Sequence, residues 1–344
     1  MRKNLETKKM HHIRIACFLL SMVLWIGTFQ KVAAQEKKQG WIKKLRYRRE
    51  LRRELQGEIQ LSGAFALYPM AVKWAEEFRK LHPKVRIDIS AGGAGKGITD
   101  ALAKVVDLGM VSRDIYPQEL EKGAFPIAVV KDAVVPTVNS NNPLIREILA
   151  TGLKQEIAKD LWVHSIAKTW GEVLGTLSTI PVHVYTRSDA CGAAETFAAW
   201  LGVKQEDLEG TAVFGDPGVT SVVQRDKIGI GFNNIAYAYD INSKKPYRHI
   251  AVMPLDLNGN GRIDPEEDFY STSTELNTAI AEGKYPSPPA RNLFLVSNGI
   301  PEKPEVLAFL EFILTDGQAY APEVGYIGLA TEVLEEELSK LQQK

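Results

Sequence analysis

Two kinds of ion chemistry can be read in the 344-residue chain. The sharper lies in one run: Asp256-Leu257-Asn258-Gly259-Asn260-Gly261-Arg262-Ile263-Asp264-Pro265-Glu266-Glu267. Oxygen side chains stand at its first, third, fifth and ninth positions, glycine at the sixth and glutamate at the twelfth. That is the spacing of an EF-hand calcium loop. It predicts a calcium site with Asp256, Asn258, Asn260, Asp264 and Glu267 as side-chain ligands and a backbone carbonyl from Arg262. Ile250–Pro254, just before it, reads as a strand. The ion is therefore expected to staple a loop rather than drive a helix-loop-helix sensor.

The second chemistry is anion recognition. Ser62-Gly63-Ala64-Phe65-Ala66-Leu67-Tyr68-Pro69 leads from a strand into a helix, where free N–H groups and the helix dipole favour negative charge. Gly92–Gly97 lets backbone approach a ligand closely. Its spacing is not that of a nucleotide P-loop, because Gly97 stands where Ser or Thr is required. Arg187-Ser188-Asp189-Ala190-Cys191-Gly192-Ala193 opens a third helix, and Ser112-Arg113 adds a second guanidinium. Arginine's planar fork suits tetrahedral oxyanions. Cys191 at a helix start could have a lowered pKa, with His164 or His183 as a base. A small buried thiol is the commoner role, and the expectation is a binding protein, not an enzyme. No histidine pairing suggests zinc.

Positioning these turns requires alternating strands and helices. Glu58–Leu61 reads as a strand, Tyr68–Leu81 as a helix with Met70, Trp74, Phe78 and Leu81 on one face, and Val85–Ile89 as a strand. A helix runs through Leu102, and a short strand follows at Asp107–Met110. Pro181–Tyr185 strand, Ala193–Leu201 helix and Ile228–Gly231 strand continue the alternation. Gln318–Ala330 reads as glycine-rich chain, then Thr331–Lys344 as a charged helix. The pattern predicts α/β layers with mostly parallel strands. Apolar stretches at Val134–Pro143 and His249–Leu255 divide the chain. Residues 57–137 and 250–344 would form one discontinuous lobe, carrying the calcium loop, and 138–249 the other. Two crossings suit a hinge around a cleft.

The N-terminus reads as an export signal over residues 1–34: a basic front, an apolar run from Ile15 to Phe29, and Val32-Ala33-Ala34 before the expected cut near Ala34. Cys17 lies inside the apolar run and leaves with it, so Cys191 is the only mature cysteine and no internal disulfide forms. Residues 35–56 form a basic leader, read as a solvated tether. The body from Gly57 holds 27 basic and 38 acidic residues, a net charge of −11, which argues against nucleic acid as a partner.

The order of turns resembles the phosphate-binding subunits of bacterial ABC transporters, within the type II periplasmic binding protein superfamily. The stretches that carry the resemblance are Ser62–Pro69, Ser90–Gly97, Asp107–Arg113, Thr186–Phe197, Ile228–Tyr239 and Glu323–Ile327. It implies a two-lobed α/β fold with a small oxyanion, phosphate or a relative, held in the interlobe cleft. It also implies a periplasmic monomer that serves a permease in the inner membrane. Carried over by position, the contacts come from Ala64, Phe65, Ala66, Ala94, Ser112, Arg113, Arg187, Cys191, Gly192 and Ala193. That family usually has Ser or Thr where this chain has Ala64, Phe65, Ala66, Ala94, Cys191 and Ala193. Each missing hydroxyl removes a donor worth about 1 kcal/mol. The departures motivate a second reading, a binding fold that has lost its solute and serves as an interaction module.

Overall fold

The computed structural model describes residues 55–342, so the export signal and nearly all of the basic leader lie outside the described residues. The first half of the body starts with β1 (Gln56–Gly63), which buries Ile59 and Leu61. β1 pairs in parallel with β2 (Lys84–Ala91) on one side and β3 (Leu108–Val111) on the other. Between β1 and β2 runs the helix Tyr68–Leu81, with Pro69 in its first turn. Met70, Trp74 and Phe78 recur every fourth residue and are wholly buried, so one stripe faces the sheet. Trp74 donates its indole N–H to Gly317 O at 2.8 Å, and Phe78 packs edge-on against Phe309 at 5.1 Å. The helix ends at His82, because the residue before a proline is driven out of the helical region; its ψ is 72°.

One strand ties the molecule together. β4 (Ala124–Asn139) has 16 residues and spans roughly 50 Å. Up to Ala133 it pairs antiparallel with β9 (Ala290–Asn298). From Val134 onward it pairs antiparallel with β7 (Gly229–Asn234), and at Thr137–Asn139 with β8 (Ile250–Val252). β5 (His183–Arg187) then adds to β7 in parallel, and β6 (Thr211–Val213) to β5. The strand order is β2-β1-β3-β9-β4-β7-β5-β6, with β8 beside β4.

The expectation of mostly parallel strands is corrected: four pairings are parallel and four antiparallel. The antiparallel ones all involve β4 or β9, the strands that run between the halves, where no crossover helix can intervene. The packing also draws the halves differently from the sequence. Val252, Met253, Leu255, Phe269, Tyr270, Leu276 and Tyr285 share one apolar cluster with Trp162, Phe197 and Phe232. The residues from 250 to 290, the calcium-type loop among them, therefore pack with the middle segment, and the chain returns at β9 rather than at His249–Leu255. Gln318–Ala330 is not plain glycine-rich chain, for it starts inside the 3-10 segment Asp316–Tyr320 and contains the short helix Ala321–Val324. The last helix is Thr331–Lys340. Among the described residues no helix is long and apolar enough to cross a membrane.

Candidate functional site

Several helix starts come together between the halves. After β1, Phe65–Leu67 forms a 3-10 turn that runs directly into Tyr68–Leu81. After β2, Gly93 caps the helix Ala94–Leu102. After β5, Cys191 caps Gly192–Trp200, and Phe214 precedes Gly215–Arg225. Their closeness is measurable. Gly95 N–H donates to Ala190 O at 3.4 Å, and Tyr237 donates its hydroxyl proton to Phe65 O at 3.1 Å. A Cβ on Gly192 would lie 2.1 Å from Ser112 O, so only glycine lets these turns meet. Gly93 has φ +93°, and a Cβ there would reach within 2.9 Å of Ala190 O. Phe65 packs edge-on against Phe214 with ring centres 5.9 Å apart.

All ten residues expected to bind an anion belong to this convergence. Ala64, Ala66, Ala94, Ser112, Arg113, Arg187, Cys191, Gly192 and Ala193 are buried, and Phe65 is half-buried. The Ala64 N–H is engaged, donating to Met110 O at 2.9 Å. The Cys191 sulfur accepts the Ala194 N–H at 3.5 Å, filling the capping place of a hydroxyl. Position at a helix start does not lower its pKa. Burial pushes the thiol up to about 12, with the Arg187 charge opposing.

Neither arginine is a free cation. Arg187 forks onto Asp189, Nε to Oδ1 at 2.9 Å and Nη2 to Oδ2 at 2.7 Å, and gives Nη1 to Asp216 Oδ2 at 2.8 Å. Burial works against its charge, yet Asp216 and Asp189 outweigh that and raise its pKa. Arg113 forks onto Glu119 at 2.8 and 2.6 Å and pairs with Glu195 at 3.1 Å. Asp114, the next residue in the chain, offers Arg113 only its backbone carbonyl.

The sequence reading missed the polar chain that continues from these pairs. Asp216 Oδ1 accepts the Asn234 amide Nδ2 at 2.6 Å. Asn234 Oδ1 accepts from Arg291 Nη2. Arg291 pairs with Asp132 through Nε at 2.9 Å and donates to Thr196 Oγ1 at 2.8 Å and to Gly192 O. Burial raises the Asp132 pKa, with Arg291 opposing. One signal was available: Arg291-Asn292 interrupts an otherwise apolar strand. Counting both networks, Arg113, Arg187 and Arg291 face Asp132, Asp189, Asp216, Glu119 and Glu195. The carboxylates outnumber the guanidiniums, so attraction for an anion must come from backbone N–H groups and helix starts.

Beside this convergence opens a cleft of about 790 Å³ whose lining includes Arg113, Tyr116, Lys131, Glu195, Arg291 and Asn292. Tyr116 donates its hydroxyl to Glu195 across it.

The calcium-type loop lies apart, against residues 150–154. Asp256 accepts N–H groups from Gly259, Asn260 and Gly261, and Glu267 accepts from Leu257, Asn258 and Asp264. The Asn258 and Asn260 amides both donate to Asp264 Oδ2, and Arg262 is exposed, with its guanidinium 2.9 Å from Asp264. All six expected ligand residues are therefore in one ring. Among the described residues no three His, Cys, Asp or Glu side chains converge tightly enough to hold a metal by themselves.

A mixed sheet joined by long crossing strands, with helix starts from both halves meeting between them, defines the two-lobed type II fold of solute-binding proteins. Residues 50–317 match the family described as "PBP superfamily domain", and the chain belongs to it. It is similar to Protein SphX of Synechococcus elongatus, 28% identical over 279 residues that cover 79% of this chain and 77% of that one. It is also similar to the phosphate-binding protein PstS of Methanocaldococcus jannaschii, 26% identical over 331 residues covering 80% and 83% of the two chains. Among solved structures, a putative phosphate ABC transporter substrate-binding protein with bound phosphate from Clostridium perfringens aligns with a TM-score of 0.66. It is 23% identical, over 80% of this chain and all of that one. An ABC-type phosphate transport receptor from Vibrio cholerae aligns at 0.58 with 20% identity, over 79% and 100%.

Proposed function

We propose that this protein is an exported receptor that closes on phosphate or a related oxyanion and delivers it to the permease of an ABC transporter. The observation that carries this reading is the meeting of helix starts at Phe65, Ala94, Gly192 and Gly215 around two buried arginines. The names of its relatives point to phosphate. The export signal read at residues 1–34 fits a protein working outside the cytoplasmic membrane. This reading assigns binding rather than turnover: Cys191, the one thiol among the described residues, is buried, with its pKa pushed up to about 12.

The charge balance refines the ligand. Phosphate keeps a proton near neutral pH and can donate it to a carboxylate, whereas sulfate has only acceptors and meets repulsion. Calorimetric titration of inorganic phosphate, sulfate and molybdate into residues 35–344 tests this. Phosphate is expected to bind, at least about tenfold more tightly than sulfate, a difference of about 1.4 kcal/mol. The second reading, an interaction module without a solute, is favoured by the ion pairing of Arg113 and Arg187 and the alanines at 64, 66, 94 and 193. It takes over if no oxyanion binds at millimolar concentration.

A further inference from the structure

The function just proposed leaves residues 256–267 without a role. Their pattern is complete at every position where a calcium loop needs oxygen or glycine. Gly261, at the sixth position, has φ +85°, the left-handed turn that brings the chain back toward its start. Asp256 and Glu267, the first and last ligands, are pulled inward: the Asp256 side chain is 0% exposed and Glu267 is 4% exposed.

Charge supplies an observation separate from the loop's shape. Among the described residues no Lys, Arg or His lies within ion-pair distance of Glu267. Asp256 has only Lys154 at 3.9 Å, and Asp264 only Arg262, whose side chain is 74% exposed. A buried carboxylate whose charge is not matched is costly, and backbone N–H groups alone offset only part of it. Two buried carboxylates and a third at the rim thus share one ring with little cationic charge beside them, an arrangement that a bound cation would stabilise.

We propose that this ring binds one calcium ion. Asp256, Asn258 and Asn260 supply side-chain oxygens, Arg262 its backbone carbonyl, Asp264 an oxygen directly or through water, and Glu267 both oxygens. Asn258 and Asn260 now turn their nitrogens toward Asp264. A half-turn of each amide presents oxygen to the same point. That half the ligands are Asn amides and a carbonyl explains why carboxylates alone do not complete the site. Calcium suits it better than magnesium, because seven flexible oxygen ligands exceed the octahedron magnesium demands.

The ion would act on more than its loop. Asp256 N–H donates to Leu153 O at 3.1 Å, Ile263 N–H to Ala150 O at 2.8 Å, and Leu153 N–H to Pro254 O at 2.7 Å. The loop is thus sewn to the helix Ile145–Thr151 and the residues just after it, which follow β4, and it lies a few residues along the chain from β8, which pairs with β4. Calcium would fasten the end of the strand that joins the halves.

The test uses residues 35–344, stripped with EGTA and then titrated with calcium chloride by calorimetry, and melted with calcium or EGTA present. One ion per chain is expected, with a melting temperature about 5–10 °C higher at saturating calcium. Magnesium chloride at the same concentration should not reproduce the shift. Glu267→Gln should abolish binding. Asp264→Asn, at the less buried rim, should keep the fold and weaken binding at least about tenfold. No calcium heat up to millimolar concentration together with identical melting curves would overturn the proposal. So would calcium binding that neither substitution alters, since the ion would then sit elsewhere.

Discussion

Cys191 shows how one residue stands in for another. Its sulfur does the capping work of a hydroxyl, but burial holds the thiol neutral, with its pKa near 12. A raised folded pKa favours the neutral form. The contribution to stability is present below the ordinary thiol value of 9.0 and is lost as pH rises through about 12. In the native protein at pH 8 the thiol should react with iodoacetamide about a thousandfold more slowly than in the urea-unfolded chain, reflecting the scarcity of thiolate. Equal rates in the two states would show that the site is open and the shift absent. The arginines teach the complementary lesson. Arg113 and Arg187 were legible as candidates from residue type, but their partners were not, and Arg291 was missed altogether. Asp216 lies 29 residues beyond Arg187, and Asp132 lies 159 before Arg291. Such pairings follow from the sheet order, which a single sequence does not reveal.

Among the elements, those with a strong apolar period were legible to the residue. Tyr68–Leu81 was one, since Met70, Trp74 and Phe78 fix its face and Pro83 its end. Strands were read one to three residues out of place, as with Pro181–Tyr185 against the observed His183–Arg187. Short apolar runs lack the length to fix a boundary. The upstream half of β4 went unread because Ala124–Ala133 holds both Pro126 and two charged residues, Lys131 and Asp132. Asp132 finds its partner, Arg291, on the crossing strand β9, where local pattern is silent. The turns between elements carry the sharpest elemental prediction. Gly192 sits so close to Ser112 that a Cβ would fall 2.1 Å from a backbone oxygen. Gly192→Ala should leave each half folded, because φ there is not left-handed, yet force the two turns apart. Calorimetry should show phosphate affinity reduced at least about tenfold, with a small change in melting temperature. Unchanged affinity would remove this turn from the site.

At the scale of the molecule, any separation of the halves must break what spans them. Glu195, on the helix Gly192–Trp200, pairs with Arg113 at 3.1 Å and accepts from Tyr116, both from the chain after β3. Burial raises the Glu195 pKa, while Arg113 opposes that. A carboxylate with a raised folded pKa contributes stability that is present below its unfolded pKa and lost as pH rises. Ionised Glu195 at neutral pH therefore costs the fold something and gains a bridge across the cleft. Glu195→Gln separates the two effects. It removes the burial cost of the charge, and Arg113 stays paired with Glu119 at 2.6 Å, so no cation is orphaned. The melting temperature should hold or rise. The bridge, however, loses its ion pair, worth about 1 kcal/mol at this partly exposed site, and phosphate should leave about fivefold faster in stopped-flow displacement. Acidification of the parent protein should move the off-rate in the same direction, and the Gln variant should not respond. A variant with a lower melting temperature and an unchanged off-rate would make Glu195 a packing residue and leave closure to the helix starts alone.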